Sequence, residues 1–252
     1  MLQKLRKRIQ RLDPRTQVRP GDVLIASYPK SGNTWTRFVL GHLLTGCQEQ
    51  LTFKTFDRYT PELDIHIEYL RELPSPRLIK THAPYRPRFR KAIYLIRDPR
   101  DVYVSYYHYI RKKLPEHLTF KEFLHDEVAK LGTWAEHVQS WQQCDQLLCI
   151  QYESILADPR AAFEQMIDFL PEFDLSKEKL EQAIEMSSFQ QMKQVEQQYG
   201  RNFRSKSDAE KSSVFMRKGE KGDWVNYFDD EDVALLKQRA GAVMKEWGYN
   251  GI

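Results

Sequence analysis

The sequence contains few cysteines and no long apolar segment, and each shortage excludes a class of protein. Only three of its 252 residues are cysteines, and none forms a C-x-x-C pair: Cys47, Cys144 and Cys149. An odd, unpaired set argues against a disulfide framework and a zinc site, and predicts reduced thiols in a cytoplasmic protein. No apolar run approaches the ~20 residues that a transmembrane helix needs. The N-terminus also lacks the apolar core of a signal peptide.

Charge and length narrow the class further. The 39 basic and 35 acidic residues nearly balance and leave a formal net charge of +4. Such weak basicity suits an anionic ligand but is too small to predict nucleic-acid binding. The length fits one α/β domain, and we see no repeat that would divide it.

The first residues form the most basic segment. Its apolar residues fall on one helical face, with lysines and arginines around them: Leu2, Leu5, Ile9 and Leu12. We expect a basic amphipathic helix over residues 1–19, before a domain spanning 20–252. Residues 1–12 have two open interpretations, which are weak contact with an anionic membrane surface and docking on the protein's own domain.

Four short apolar segments predict parallel strands. They are Gly21–Pro29, a segment that ends at Lys80–His82, Ala92–Ile96, and a segment that ends near Tyr152. Helical patterns follow, including Val102–Ile110 after a break at Asp98-Pro99 and a final helix over Asp229–Trp247. The alternation predicts a single α/β domain with a mostly parallel, doubly wound sheet, whose ligands bind at the carboxyl ends of the strands.

The segment "IASYPKSGNTWTRF" resembles a phosphate-binding loop with a displaced lysine. The usual loop is G-x-x-x-x-G-K-[ST], in which backbone N–H groups and the helix N-terminus hold phosphates. Gly32 takes the place of the second glycine, Asn33 that of the lysine and Thr34 that of the hydroxyl, while the lysine itself is at Lys30. This predicts an anion-binding turn that does not serve a γ-phosphate.

Four segments in order carry a family resemblance: "YPKSGNTW" at 28–35, "KTH" at 80–82, "IRDPRDVYVSYYHY" at 96–109 and "RKGEKGDW" at 217–224. They resemble the cytosolic-type sulfotransferases, which use 3′-phosphoadenosine 5′-phosphosulfate (PAPS) and release 3′-phosphoadenosine 5′-phosphate (PAP). The resemblance extends from about Pro20 to the C-terminus. It implies sulfuryl transfer to a hydroxyl by in-line displacement, without a metal.

The resemblance assigns the catalytic roles. His82 matches the base that takes the acceptor proton, which suits an imidazole. Lys30 matches the cation that neutralises the leaving bridging oxygen, and Lys80 supports the sulfuryl oxygens. Ser105 would hydrogen-bond Lys30 and hold it off the donor until the acceptor arrives. His108 is a rival base, which we interpret as packing or as lining of the acceptor pocket.

The resemblance also assigns the donor contacts. The 5′-phosphate contacts are in the turn: Lys30, Ser31, Gly32, Asn33 and Thr34. The 3′-phosphate contacts lie in two segments: Arg97, Ser105, Arg217, Lys218 and Gly219. The adenine contacts are Trp35, Tyr152, Ser187 and Phe189. Without the motifs, the aromatics would be interpreted as core, Arg97 as an ion-pair partner of a nearby aspartate, and residues 217–219 as a solvated basic loop.

Residues 197–224 are polar, with little periodicity, and are too long for a routine connection. They form either a mobile functional loop or an ordinary solvated one, and the resemblance favours a loop that clamps the donor. The family's dimer signature, K-x-x-x-T-V-x-x-x-E, is absent, since its positions hold Val225, Asp229, Asp230 and Ala234. The oligomeric state therefore stays open.

Other functions remain as alternatives, namely a nucleotide kinase with a related loop and a homologue that binds the nucleotide without turnover. The acceptor is open among small molecules, lipids and glycans. One aromatic cluster is expected to line part of its pocket: Tyr103, Tyr106, Tyr107, His108 and Tyr109. The remaining histidines show no metal-ligand pattern and are interpreted as structural or surface residues: His42, His66, His117, His125 and His137.

Overall fold

The computed structural model describes residues 17–111, 114–126, 133–200 and 216–249. The helix predicted for the N-terminus therefore falls almost entirely outside the described residues. Residues 201–215 of the predicted clamping loop also lie outside them, whereas residues 197–199 close a helix and 216–224 are described.

The centre of the fold is a parallel sheet of four strands: β1 (Val23–Ser27), β2 (Leu78–Thr81), β3 (Lys91–Ile96) and β4 (Gln146–Gln151). Their order across the sheet is β2-β1-β3-β4, and each neighbouring pair is parallel. The chain therefore winds first to one side of β1 and then to the other. This confirms the predicted doubly wound α/β domain.

Ten α-helices surround the sheet in the described residues. They are α1 (Asn33–Leu44), α2 (Ile67–Glu72), α3 (Pro99–Ile110), α4 (Phe120–Asp126), α5 (Trp134–Trp141), α6 (Tyr152–Ala157), α7 (Pro159–Phe169), α8 (Leu180–Met186), α9 (Phe189–Tyr199) and α10 (Asp230–Glu246). Short 3-10 turns lie at Phe56–Arg58, Lys177–Lys179 and Asp223–Asn226.

Each face of the sheet has its own core, because successive strand residues point to opposite sides. Leu24 and Ala26 pack with residues of α5 and α10 on one face. Val23 and Ile25 pack with residues of α1, α7 and α8 on the other. All four strand residues are fully buried, which explains why β1 is continuously apolar rather than alternating.

The helix after β3 begins earlier than the sequence indicates. The sequence predicts a break at Asp98-Pro99 and a helix from Val102, but α3 begins at Pro99. The Asp98 carboxylate accepts the N–H of Arg100 at 2.9 Å and caps the helix. Proline fits the first helical position because it has no N–H to leave unpaired, so the motif starts the helix instead of interrupting the chain.

The carboxyl ends of the strands bring the motifs to one edge of the sheet. The residue after β2 is His82, the one after β3 is Arg97, and Tyr152 follows β4 directly. The turn at 28–34 follows β1, between the ends of β2 and β3. Side chains that are far apart in sequence therefore meet beside this turn.

Candidate active site

The turn after β1 presents backbone N–H groups at the start of α1. Lys30 and Gly32 both have positive φ, 71° and 93°. Gly32 precedes α1 and supplies no side-chain cap, and the first helical turn carries no acidic residue. The N-terminus of α1 thus keeps its partial positive charge and unpaired donors for a bound anion.

Two side chains of the turn point into the protein. The Asn33 amide donates to the carbonyl oxygen of Ile25 at 3.1 Å and to Ser27 Oγ at 3.2 Å, which fixes α1 to β1. The sequence predicts that Asn33 contacts the 5′-phosphate of PAPS. Because its side-chain N–H groups are used within the protein, the backbone N–H is the group left to make that contact. Ser31 is fully buried, and its hydroxyl has no hydrogen-bond partner among the described residues.

His82 is held in one tautomer. Its Nδ1 lies 2.8 Å from the carbonyl oxygen of Ser27, so Nδ1 carries the proton and donates it. Nε2 is then the nitrogen with a lone pair. Burial, together with the charge of Lys80, lowers the pKa of His82 to about 3. The imidazole is therefore neutral at pH 7 and able to accept a proton.

A second histidine, His137 on α5, fixes the backbone of His82. Its Nε2 lies 3.0 Å from the carbonyl oxygen of His82, and its Nδ1 lies 2.8 Å from the hydroxyl of Tyr94. Burial lowers the pKa of His137 to about 4, so this ring is also neutral. Nothing in the sequence singles out His137, because it lies 55 residues from His82.

Lys80 forms an ion pair with Glu62, and both side chains are largely buried. Burial lowers the pKa of the Lys80 amine, while Glu62 opposes that effect. Burial would raise the pKa of Glu62, but Lys80 and His82 outweigh it and hold that pKa at about 2. Glu62 is therefore ionised at neutral pH, and its carboxylate lies in direct contact with the Lys80 amine.

Arg97 joins the two loops that border the cavity. Its guanidinium donates to the carbonyl oxygen of Lys30 at 3.1 Å and to that of Glu220 at 2.8 Å. It also lies 3.8 Å from the Asp101 carboxylate and 4.4 Å from the centre of the Tyr152 ring. Its Nε is buried without a partner among the described residues.

The segment at 216–224 is tied to α3 by one carboxylate. Asp101 accepts the N–H of Gly222 at 2.7 Å and the N–H of Trp224 at 3.0 Å. Within the segment, Asp223 pairs with Arg217 at 2.7 Å and with Lys218 at 2.5 Å. The cations predicted to bind the 3′-phosphate are therefore held beside an acidic side chain.

Two glycines make close contact with aromatic rings. A Cβ on Gly32 would lie 2.6 Å from Cδ2 of Tyr152, and a Cβ on Gly219 would lie 2.6 Å from Cδ2 of Phe189. Gly219 also has a φ of 71°. Both positions therefore require glycine for space as well as for backbone conformation. Trp35 packs edge-on against Tyr152 at 6.5 Å.

These elements enclose a cavity of about 890 Å³. Fourteen of the predicted site residues line it: Lys30, Gly32, Asn33, Thr34, Trp35, Lys80, His82, Arg97, Ser105, Tyr152, Phe189, Arg217, Lys218 and Gly219. The Lys30 ammonium lies 4.4 Å from the centre of the Tyr109 ring, one helical turn beyond Ser105. The structure thus brings the catalytic and donor-binding candidates to one site.

Some predicted residues are not on the cavity wall. Ser31 and Ser187 are fully buried outside it, and the Ser187 hydroxyl lies 3.0 Å from Nδ1 of His42. The adenine contact assigned to Ser187 stays a prediction, and in this structure the hydroxyl forms a buried pair with His42.

The aromatic cluster on α3 is divided in the same way. Tyr106 and Tyr109 line the cavity, whereas Tyr103 and Tyr107 pack in the core. His108 is away from the wall, with its Nε2 2.9 Å from the hydroxyl of Tyr227. Of the two interpretations left open for His108, the structure supports packing.

A polar part of the wall was missed by the sequence analysis. It is formed by Arg37 on α1 and by Asp57, Glu62 and His66 on the segment before β2. Arg37 donates to the backbone oxygen of Thr60 and pairs with Asp57, so it attaches this segment to α1. The one available signal was an arginine inside the apolar pattern of α1, where a charge needs a buried partner.

In the described ranges, no group of three or more metal-ligating side chains forms a metal site. The helices in those ranges are also too short or too polar to span a bilayer.

Comparison with known proteins identifies the class. The family described as "Sulfotransferase domain" matches residues 20–248. The chain therefore belongs to the sulfotransferase family and is an enzyme of sulfuryl transfer, which confirms the resemblance drawn from the four motifs.

Particular relatives are similar across most of the chain. Sulfotransferase 1 family member D1 of Mus musculus is 32% identical over 235 residues, covering 84% of this chain and 79% of the relative. The crystal structure of mouse sulfotransferase SULT7A1 complexed with PAP has a TM-score of 0.69 and 25% identity, covering 96% and 94% of the two chains.

Retinol dehydratase in complex with androsterone and inactive cofactor PAP has a TM-score of 0.72 at 24% identity, covering 90% and 82% of the chains. At that identity the likeness shows the shared fold.

Proposed function

We propose that this sulfotransferase takes its sulfuryl group from PAPS and transfers it to the hydroxyl of a small-molecule acceptor, with His82 as the base. The observation that carries the proposal is the fixed tautomer of His82 on the cavity wall, with Nδ1–H donated to Ser27 and Nε2 left as the acceptor. A base must be both unprotonated and oriented, and this arrangement meets both requirements.

The proton and electron pairs have defined destinations. His82 Nε2 takes the acceptor's hydroxyl proton as the acceptor oxygen bonds to sulfur. The bond between sulfur and the bridging phosphate oxygen breaks on the opposite side, and PAP leaves with the electron pair. A pKa near 3 makes His82 a weak base in the empty protein. Negative charge from a bound donor would stabilise the imidazolium and strengthen the base.

Two lysines provide positive charge without a metal. Lys30 belongs to the anion-binding turn and is assigned to the leaving bridging oxygen. Lys80 lies two residues before His82 and is assigned to the sulfuryl oxygens. Since charge develops on these oxygens during transfer, fixed cations in a buried site stabilise the transition state. Ser105 lines the same wall and is proposed to restrain Lys30.

The donor site fits a nucleotide with phosphates at both ends. The buried Ser31 hydroxyl and the Arg97 Nε have no partners among the described residues, and α1 begins without a side-chain cap. The turn at 30–34 is proposed to hold the 5′-phosphate. Arg97, Ser105 and the residues 217–219 are proposed to hold the 3′-phosphate, since guanidinium groups bind phosphate with two parallel hydrogen bonds. Trp35, Tyr152 and Phe189 supply flat surfaces for adenine.

The acceptor occupies the rest of the cavity, beside His82. Tyr106, Tyr109, Phe53 and Phe56 also line the cavity, so the acceptor is proposed to carry an apolar or aromatic portion. The described cysteines are all free, which fits action in the reducing cytoplasm.

The test combines turnover with binding. Radiolabelled PAPS is incubated with a panel of small hydroxyl compounds, with and without EDTA, and transfer is expected to be unaffected by the chelator. His82→Ala is expected to bind PAP like the wild type in calorimetry but to lose at least about a hundredfold in kcat, as expected for removal of a general base. His117→Ala, an exposed histidine, is the matched control. Binding of ATP with Mg²⁺ but not of PAP would refute the donor assignment.

A further inference from the structure

Glu62 is attached to Lys80 through its backbone as well as its side chain. The Lys80 N–H donates to the carbonyl oxygen of Pro61 at 2.9 Å, and the Leu63 N–H donates to the carbonyl oxygen of Lys80 at 2.9 Å. Residues 61–63 therefore run beside β2 in a parallel bridge. The Glu62 N–H donates to Nδ1 of His66 at 3.0 Å, which fixes the segment further. These contacts place the carboxylate in one position against the ammonium group.

Lys80 is in a position that disfavours a positive charge. Its side chain is only 8% exposed. The charged groups around it are Arg37 on α1 and Glu62 and Asp64 on the bridged segment, and the titratable His82 lies at the end of its own strand. Burial lowers the pKa of Lys80 most, Arg37 lowers it further, and the two carboxylates raise it. Of those carboxylates, Glu62 makes the direct ion pair.

The reaction adds another positive charge beside Lys80. When His82 takes the acceptor proton it becomes an imidazolium, two residues from an ammonium group and near a guanidinium. Like charges in a buried site oppose one another strongly. A protonated Lys80 and a protonated His82 can coexist there only if a carboxylate offsets part of the charge.

We propose that Glu62 is a positioning residue for sulfuryl transfer. It keeps Lys80 protonated and directed at the part of the cavity beside His82. The proposal rests on the proposed function, because the charge on Lys80 matters only if a sulfuryl group is transferred there. It adds a residue of the cavity wall that acts through Lys80.

The kinetic test is the pH dependence of kcat at saturating donor and acceptor. Glu62→Gln is expected to move the alkaline limb of the profile to lower pH by on the order of one pH unit, since one adjacent opposite charge shifts a pKa by about 1–3 units. Activity should then recover as the pH is lowered. Glu62→Asp keeps the charge on a shorter side chain, so its alkaline limb should lie between those of the wild type and Glu62→Gln. Glu68→Gln, an exposed glutamate on α2, is the matched control and should leave the limb in place.

A double variant separates charge from packing. In Glu62→Gln combined with Lys80→Arg, the guanidinium stays protonated at all accessible pH values. The alkaline limb of this double variant should not move to lower pH as it does in Glu62→Gln, even if its kcat is reduced. If Glu62→Gln reduces kcat but leaves the alkaline limb where it is in the wild type, the role of Glu62 is merely structural and the proposal is overturned.

A measurement without turnover distinguishes this proposal from the proposed function. The protein is labelled with ¹³C at lysine Cε, the Lys80 signal is assigned by its loss in Lys80→Arg, and the signal is titrated by NMR. Its pKa should fall in Glu62→Gln and fall less in Glu62→Asp, which also serves if the glutamine variant does not fold. If the pKa falls but the wild type transfers no sulfuryl group, the proposed function fails, while the effect of Glu62 on the charge of Lys80 stands. If transfer occurs and the pKa is unchanged, the inference about Glu62 fails.

Discussion

The contact between Gly219 and Phe189 gives a quantitative prediction for donor binding. In Gly219→Ala, the new Cβ would lie 2.6 Å from Cδ2 and 2.9 Å from Cε2 of the Phe189 ring. Carbon atoms do not approach so closely, so either the ring or the backbone at 219 must move. Since Phe189 lines the cavity as a proposed adenine surface, its displacement should weaken nucleotide binding.

The magnitude has two parts. An alanine at a φ of 71° costs about 1–2 kcal/mol of backbone energy relative to glycine. The second part is specific to binding, because stacking of a base on an aromatic ring contributes about 1–3 kcal/mol. Loss of about 1.4 kcal/mol of that stacking corresponds to a tenfold weaker Kd.

A neighbouring glycine separates the two parts. Gly222 has a similar φ of 82°, but a Cβ there would meet nothing within 4 Å. Gly222→Ala therefore introduces the same backbone strain in the same segment without the collision. Calorimetry with PAP should show about tenfold weaker binding for Gly219→Ala and at most about threefold for Gly222→Ala. Equal weakening in both variants would show that the ring contact contributes nothing.

Two further predictions concern charged groups. Asp101→Asn should weaken PAP binding by about tenfold, because Gly222 and Trp224 each donate to a different oxygen of Asp101, and asparagine keeps only one oxygen and loses the charge beside Arg97. Calorimetry on the folded variant checks this, and an unchanged Kd would contradict it. Acid should reduce the stability that Glu62 contributes. Its pKa is held at about 2, below the ordinary value of 4.5, so the contribution is present above about pH 4.5 and is lost as pH falls towards 2. Urea unfolding of the wild type and Glu62→Gln should therefore differ less at pH 2.5 than at pH 6, and a constant difference would exclude this linkage.

The sheet and most of the cavity wall were predictable because their signals are local. Each strand is a short apolar run, and the chemical motif follows it directly, as His82 follows β2 and Arg97 follows β3. In a parallel sheet the ends of such strands must share an edge. The order along the chain therefore fixed which side chains would meet.

What could not be predicted depends on pairing between distant segments. The ion pair of Glu62 with Lys80 requires residues 61–63 to run beside β2 in a β-bridge. No turn motif or periodicity in the sequence predicts that β-bridge. The resemblance assigns Ser187 to adenine, whereas its hydroxyl contacts His42, 145 residues away. The motif located the neighbourhood in both cases, but the direction of each side chain was decided by partners elsewhere in the fold.

The backbone at Lys30 has a consequence for engineering. A lysine at a φ of 71° adopts a conformation that glycine would adopt more easily, by about 1–2 kcal/mol. Selection for thermal tolerance alone should therefore favour glycine at this site, and would remove the cation that we propose for the leaving oxygen. Variants chosen for robustness and variants chosen for turnover are expected to diverge first at this residue.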